Sequence, residues 1–166
     1  LPASYANHFR GPAFGIDGCR KLTNVLDRPL IGTIIKPSVG VSPEETASMV
    51  NTLAEAGIDF VKDDELMSST ANSNFSDRLD AVMDVINRHA DKTGKRVMYA
   101  FNISGEMDEM LRRYEMVVQK GGTCAMISIN SVGLSAAKKI ADQGQLAIHA
   151  HRNGWGMLNR HPLLGI

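Results

Sequence analysis

Ile58-Asp59-Phe60-Val61-Lys62-Asp63-Asp64-Glu65 decides how this chain folds, because an apolar run of strand length ends abruptly in one lysine and three acids. Acids this dense repel one another unless a cation sits among them. Hard divalent ions such as Mg²⁺ bind carboxylate oxygens, and acids that neighbour in sequence can converge on one ion where a strand ends and the backbone turns. Lys62 is the odd member. As an ammonium it repels a metal. As an amine, deprotonated by burial and nearby positive charge, it can add CO2 to become a carbamate and a third anionic ligand. Taken alone, such a run is more commonly a solvated acidic turn with the lysine as counter-ion, so its context has to decide.

Working outward, the same strand-and-helix unit recurs. Leu30 to Ile35 is an apolar, β-branched run suited to a strand buried on both faces, ending at Lys36-Pro37. Ser42-Pro43-Glu44-Glu45 then opens a helix with a cap, a first-turn proline and a capping box. Its apolar face runs through Met49, Val50, Leu53 and Ala54 to a stop at Gly57. Strand Asp59 to Lys62 follows, then helix Phe75 to Thr93, strand Val97 to Asn102 and helix Glu106 to Lys120, with Glu109 and Arg113 as an exposed i,i+4 pair. Strand Cys124 to Asn130, a short helix Leu134 to Asp142 and strand Leu146 to His151 complete five units. Upstream, residues 1–28 form an irregular, Pro- and Gly-punctuated lead-in with at most one short helix near Arg20 to Leu26, so the catalytic domain is expected over 29–166.

Strands alternating with helices predict a parallel α/β fold, either an open doubly wound sheet or a (β/α)8 barrel. No Gly-rich phosphate loop follows the first strand: Lys36-Pro37-Ser38-Val39-Gly40 matches neither nucleotide fingerprint. What recurs is polar chemistry at strand C-termini. Lys36, the Lys62 to Glu65 cluster, Asn102, Asn130, His149 and His151 all fall there, which is where barrel enzymes carry their sites. The expectation is therefore a partial TIM barrel of about five units, where closure takes eight. Such a chain is a fragment or needs further material to close, and the absence of a starting methionine points the same way.

Composition sets the remaining bounds. Lysine plus arginine equals aspartate plus glutamate at 18 each, so no global field recruits nucleic acid or an anionic membrane, and a small polar substrate is expected. The two cysteines, Cys19 and Cys124, make no zinc spacing and fit a reducing cytoplasm. No run approaches the roughly 18 apolar residues of a membrane span.

Lys36 at a strand end can reach whatever the acids hold and could exchange a proton there; a lysine snorkelling to water is an equally common reading. His149 and His151, two apart in a strand, share a face, and with Arg152 they suit a sugar hydroxyl and a phosphate. A His-x-His pair beside a carbamylated lysine also fits a zinc hydrolase, but zinc would need further histidines on earlier strands, and His8 and His89 are poorly placed for that. Asn102 either binds substrate or merely ends its strand. Trp155 and Met157 can wall a pocket, though a lone Trp more often packs.

Taken in order, Gly11-Pro12-Ala13-Phe14-Gly15-Ile16, Arg28-Pro29-Leu30, Ile35-Lys36-Pro37, Ala56 to Glu65 and His149-Ala150-His151-Arg152 resemble the large subunit of ribulose bisphosphate carboxylase/oxygenase (RuBisCO) across nearly the whole chain. The resemblance implies that Lys62 is the CO2-carbamylated lysine and that Asp64 and Glu65 complete a Mg²⁺ site. It implies further that Lys36 moves protons at the enolised carbon, and that His151 and Arg152 contact substrate. The departures are as informative. Ser38 replaces a second lysine, Ile127-Ser128 a His-Asp pair, and Trp155 a further histidine, as in RuBisCO-like proteins that stabilise an enolate without fixing CO2. Those relatives include a diketo-phosphate enolase, a methylthioribulose phosphate isomerase and decarboxylases of oxidised branched-sugar phosphates; His151 to Gly156 leans toward the last. A true carboxylase fragment and a non-catalytic truncated remnant are the alternatives. The resemblance also implies a homodimer or larger homo-oligomer, in which a partner's N-terminal domain completes the site.

Overall fold

The computed structural model describes residues 2–67, 69–161 and 163. Five strands, β1 (Gly32–Ile34), β2 (Phe60–Lys62), β3 (Met98–Asn102), β4 (Cys124–Ser128) and β5 (Ala147–His151), form one sheet. Each is parallel to its neighbours, and their order in space is their order in sequence. A doubly wound sheet reverses its order at a switch point; an unreversed run with helical crossovers is an arc of a (β/α)8 barrel. The long crossovers are α3 (Pro43–Glu55), α4 (Phe75–Thr93), α5 (Met107–Gln119) and α7 (Leu134–Ala141).

The period of two along each strand sorts side chains between two layers. One face carries Val61, Tyr99, Phe101, Ala125 and Ile127 into the main core against Val50, Leu79, Val82, Ile86, Met110 and Val117 of the helices. The opposite face carries Met98, Ala100, Cys124, Met126 and Ala147 in a second cluster, covered by Phe14, Cys19 and Leu22. These last belong to or adjoin α2 (Gly15–Thr23), so the lead-in contributes a helix that plugs the inner face. This helix lies earlier than the one expected near Arg20 to Leu26. The left-handed Asn24 (φ 54°) ends it. Short helices α1 (Ala3–Ala6), α6 (Ile129–Val132) and α8 (Trp155–Leu158) were not legible in the periodicity, being a single turn each.

Local sequence accounts for the main boundaries. Ser42 Oγ accepts from the Glu45 N–H at 3.2 Å and Glu45 Oε2 accepts from the Ser42 N–H at 2.8 Å, the reciprocal pair that starts α3. Asn74 Oδ1 accepts from the Asp77 N–H at 2.9 Å to start α4, and Gly94 ends it at φ 75°. Gly32 has its own reason: a Cβ there would lie 2.7 Å from Phe60 Cδ1 across the sheet.

Two expectations are corrected. The first strand is not buried on both faces: among the described residues β1 is a three-residue edge strand paired only with β2, and none of its residues is fully buried. Arg113 is not an exposed helix-face partner either. It is 9% exposed, its Nε 3.0 Å from Glu109 and its Nη1 donating to Ser104 O at 3.0 Å, while Arg112 makes the solvent-facing pair with Glu109. Cys124 is buried, its thiol pKa pushed up to about 12 by burial. Among the described residues no helix is long and apolar enough to cross a membrane.

Candidate active site

Lys62 ends β2 on the inner face, in register with Ala100 of β3, which pairs in turn with Cys124 of β4. The strand then turns through Asp64 and Glu65. Burial lowers the Lys62 pKa; Glu65, Asp64 and Asp63 oppose this and Lys36 adds to it. Its Nζ donates to Asp63 O at 2.8 Å and lies 3.8 Å from Glu65 Oε2. The same Glu65 oxygen is 3.6 Å from His151 Nε2. Both distances exceed a good hydrogen bond, so this carboxylate lies beside the Lys62 amine and the His151 imidazole yet is firmly held by neither.

Asp64 is buried, which by itself raises its pKa; the Lys36 ammonium and the Leu66 N–H outweigh that and hold it below the usual carboxylate range. Its Oδ1 accepts from Leu66 N–H at 2.8 Å, while its Oδ2 is ion-paired with Lys36. Lys36 itself is 57% exposed and reaches the cluster from the solvent side. Lys36, Lys62, Asp64, Glu65 and His151, drawn from three strand ends, thus meet at one rim.

His149 and His151 share a face as their spacing predicts, ring centroids 6.2 Å apart, and His149 stacks on Phe60 at 5.6 Å. Burial, then Lys62 and His151, lowers the His149 pKa. His151 Nδ1 is buried without a hydrogen-bond partner among the described residues. Arg152 lies over the Trp155 ring at 5.0 Å, so the lone Trp holds the arginine beside the rim. Asn130 donates to Asn153 O at 2.7 Å and ties the β4 and β5 loops together.

Asn102 is brought to the cluster, but its side chain turns to the backbone of the Asp64 to Met67 turn. Sequence reasoning missed what lies on the other side of that turn. Asp63 points away from Lys62 and Asp64 into a buried network, accepting from Tyr99 OH at 2.6 Å, Asn102 N–H at 2.8 Å and Arg78 Nη2 at 3.4 Å. The signal was available: in a strand, the middle of three successive residues faces the opposite side.

Among the described residues, no three His, Cys, Asp or Glu side chains are grouped to hold a metal ion. A hard-cation site at this rim would require oxygens from position 62 beside those of Asp64 and Glu65; Glu65 is weakly held, and Asp64 Oδ2 would exchange its Lys36 partner for the ion. An apolar cavity of about 480 Å³ lies elsewhere, lined by Pro12, Phe14, Cys19, Leu146 and Ile148, with Lys138 its sole charged side chain among the described residues. It has no converging polar groups with which to do chemistry.

Residues 15–166 match the ribulose bisphosphate carboxylase large chain, catalytic domain. The chain is 54% identical over 165 residues to a 3-oxo-isoapionate-4-phosphate transcarboxylase/hydrolase of Xanthobacter autotrophicus, covering 99% of this chain and 40% of that protein. It is 47% identical to a 3-oxo-isoapionate-4-phosphate decarboxylase of Rhizobium etli, covering 100% of this chain and 40% of that one. The crystal structure of a rubisco-like protein from Burkholderia fungorum superposes with a TM-score of 0.95 at 49% identity, over 99% of this chain and 41% of that one. The chain therefore spans about 40% of the length of the curated relatives it matches. A parallel arc in sequential order, with its charged residues gathered at the C-terminal rim, agrees with these matches: the chain belongs to the RuBisCO large-chain family and is most like its RuBisCO-like members.

Proposed function

We propose that the full-length protein is a cytoplasmic, homo-oligomeric, Mg²⁺-dependent enzyme that stabilises the enolate of a phosphorylated 3-oxo sugar acid as CO2 leaves, with residues 29–166 the barrel part of its catalytic domain and 1–28 the lead-in. The carrying observation is the convergence of Lys62, Glu65 and His151 with the Lys36–Asp64 pair at one rim. The names of the relatives, which act on 3-oxo-isoapionate 4-phosphate, supply the substrate class.

Burial favours the neutral Lys62 amine, whose lone pair attacks CO2; the new C–N bond forms as a proton is lost, giving a carbamate. The carbamate, Asp64 and Glu65 are the residues that would hold Mg²⁺. Bound there, Mg²⁺ supplies a Lewis acid that polarises adjacent substrate oxygens. His151, with Nδ1 unpartnered, and Arg152, held on Trp155, orient the hydroxyl and phosphate groups. As the C–C bond to the carboxylate breaks, its electron pair stays on the substrate as an enolate, and the Lys36 ammonium donates the proton that quenches it.

The test uses the full-length protein with 3-oxo-isoapionate 4-phosphate. Chelation is expected to abolish CO2 release, and Mg²⁺ added with bicarbonate to restore it. Lys62→Ala is expected to remove the restorable activity, whereas Lys36→Ala lowers kcat by about 100-fold with metal affinity little changed. Full turnover in Lys62→Ala rejects the assignment, and an equal loss of kcat and metal affinity in Lys36→Ala makes that lysine structural.

A further inference from the structure

Asn102, the last residue of β3, is 5% exposed. Its Nδ2 lies 3.2 Å from Asp64 O, 3.3 Å from Glu65 O and 3.0 Å from Met67 O. Its Oδ1 accepts from the Ser104 N–H at 3.1 Å. A side-chain amide has only two N–H donors, so it holds these carbonyls through shared bonds about one nitrogen. The backbone N–H of the same residue donates to Asp63 Oδ2, and Asp63 is anchored in turn by Tyr99 and Arg78. A single residue of β3 thus fastens the turn after β2 from both sides. Both candidate carboxylate ligands belong to that turn.

We propose that Asn102 is a positioning residue for the metal-site turn: its amide fixes the backbone of residues 64–67 and so aims the Asp64 and Glu65 carboxylates to where Lys62 ends. The inference rests on the magnesium reading above for its cation, while the geometry stands apart from it. A substrate contact, expected from the sequence, competes for the same amide. With its nitrogen engaged by the turn and its oxygen by Ser104, Asn102 acts through Asp64 and Glu65.

The experiment compares the full-length wild type with Asn102→Ala by hydrogen exchange over residues 63–69 and by Mn²⁺ titration followed by electron paramagnetic resonance. Leu66 and Met67 carry the informative amides, since their N–H groups donate within the turn to Asp64. Exchange there is expected to quicken about tenfold with α5 unchanged. Mn²⁺ affinity is expected to fall about 10- to 100-fold, and the KM for substrate to change much less. Unchanged exchange overturns the proposal, as does a tenfold rise in KM with Mn²⁺ affinity intact, which makes Asn102 a substrate contact. If the wild type binds no Mn²⁺, the magnesium reading fails and the exchange result alone decides the role of Asn102. Should Asn102→Ala not fold, Asn102→Asp keeps the shape and the Ser104 bond but sets an oxygen against the carbonyls; it is expected to free the turn at least as far, and a turn as protected as wild type refutes the idea.

Discussion

Asp59 and Asp64 flank the same short strand, both buried, and they are held in opposite ways. At the base, Asp59 accepts from Arg28 Nη1 and Nη2 at 2.6 and 2.9 Å and from the Ile31 N–H at 2.9 Å, and lies 2.7 Å from Lys95 Nζ. Every lone-pair direction is used, and the Arg28 guanidinium first, helped by Lys95 and Ile31, holds its carboxyl well below the usual carboxylate range. At the rim, Asp64 has one backbone donor and one lysine reaching in from solvent. The base carries a saturated carboxylate that joins three chain segments; the rim carries carboxylates whose neighbours can be exchanged for a cation. In barrels, stability concentrates at the N-terminal face and chemistry at the C-terminal face, and the two ends of β2 differ in the sense that division requires.

The sharpest way to break this contrast is to neutralise each acid in the full-length protein. Asp64→Asn is expected to lower Mg²⁺-dependent turnover by about 1,000-fold or more, as removal of a charge-stabilising group does, with a melting temperature close to wild type. Asp59→Ala is expected to do the reverse. Breaking a buried ion pair costs about 3–5 kcal/mol, and the low end applies because Arg28 is half-exposed and can rehydrate. Chemical denaturation reads the second loss and steady-state kinetics the first. A large activity loss with unchanged stability in Asp59→Ala, or the converse in Asp64→Asn, ends the division of labour.

A smaller effect separates the ends by pH. Asp59 has a folded pKa below its unfolded value of about 4, so the unfolded chain takes up a proton that the native state refuses. Its contribution is fully present above the unfolded pKa and is lost as pH falls through that value toward the folded one, by up to about 1.4 kcal/mol per pH unit. Melting between pH 5 and 3 is expected to be steeper in wild type than in Asp59→Asn. Equal slopes would mean that Asp59 is no more paired in the native state than in the unfolded chain.

Much of this was legible in the sequence because it is local. The helix from Phe75 to Thr93 is read at its true limits, since Gly94 stops it and Leu79, Val82, Met83 and Ile86, all buried, recur at helical spacing. The cluster after Val61 was legible because a strand end fixes where successive side chains go. What was not legible depends on elements distant in sequence. Arg78 and Tyr99 are 15 and 36 residues from the Asp63 they anchor, and neither stands out from its neighbours. The burial of Arg113 follows from Ser104 O, which only the β3–α5 loop brings within reach. The first strand was overestimated because Leu30 to Ile35 reads as apolar throughout, whereas the sheet leaves one edge of β1 without a partner among the described residues.

The smallest test asks whether the rim is uniformly functional. Ser42 lies on the rim side, in the loop from β1 to α3, yet its hydroxyl serves the helix start: it accepts from the Glu45 N–H and donates to Glu44 Oε2 at 2.9 Å. Ser42→Ala is expected to cost about 1 kcal/mol of stability, the usual value of a lost N-cap, while Mn²⁺ affinity and kcat stay at wild-type levels. Lys36 sits in the same loop and pairs with Asp64, so it is the route by which a loosened α3 start would reach the proposed metal site. A drop in Mn²⁺ affinity of more than a few fold in Ser42→Ala would show that this route is used. The rim could then not be divided into a part that folds and a part that reacts, and the contrast between the two ends of β2 would hold for the aspartates alone.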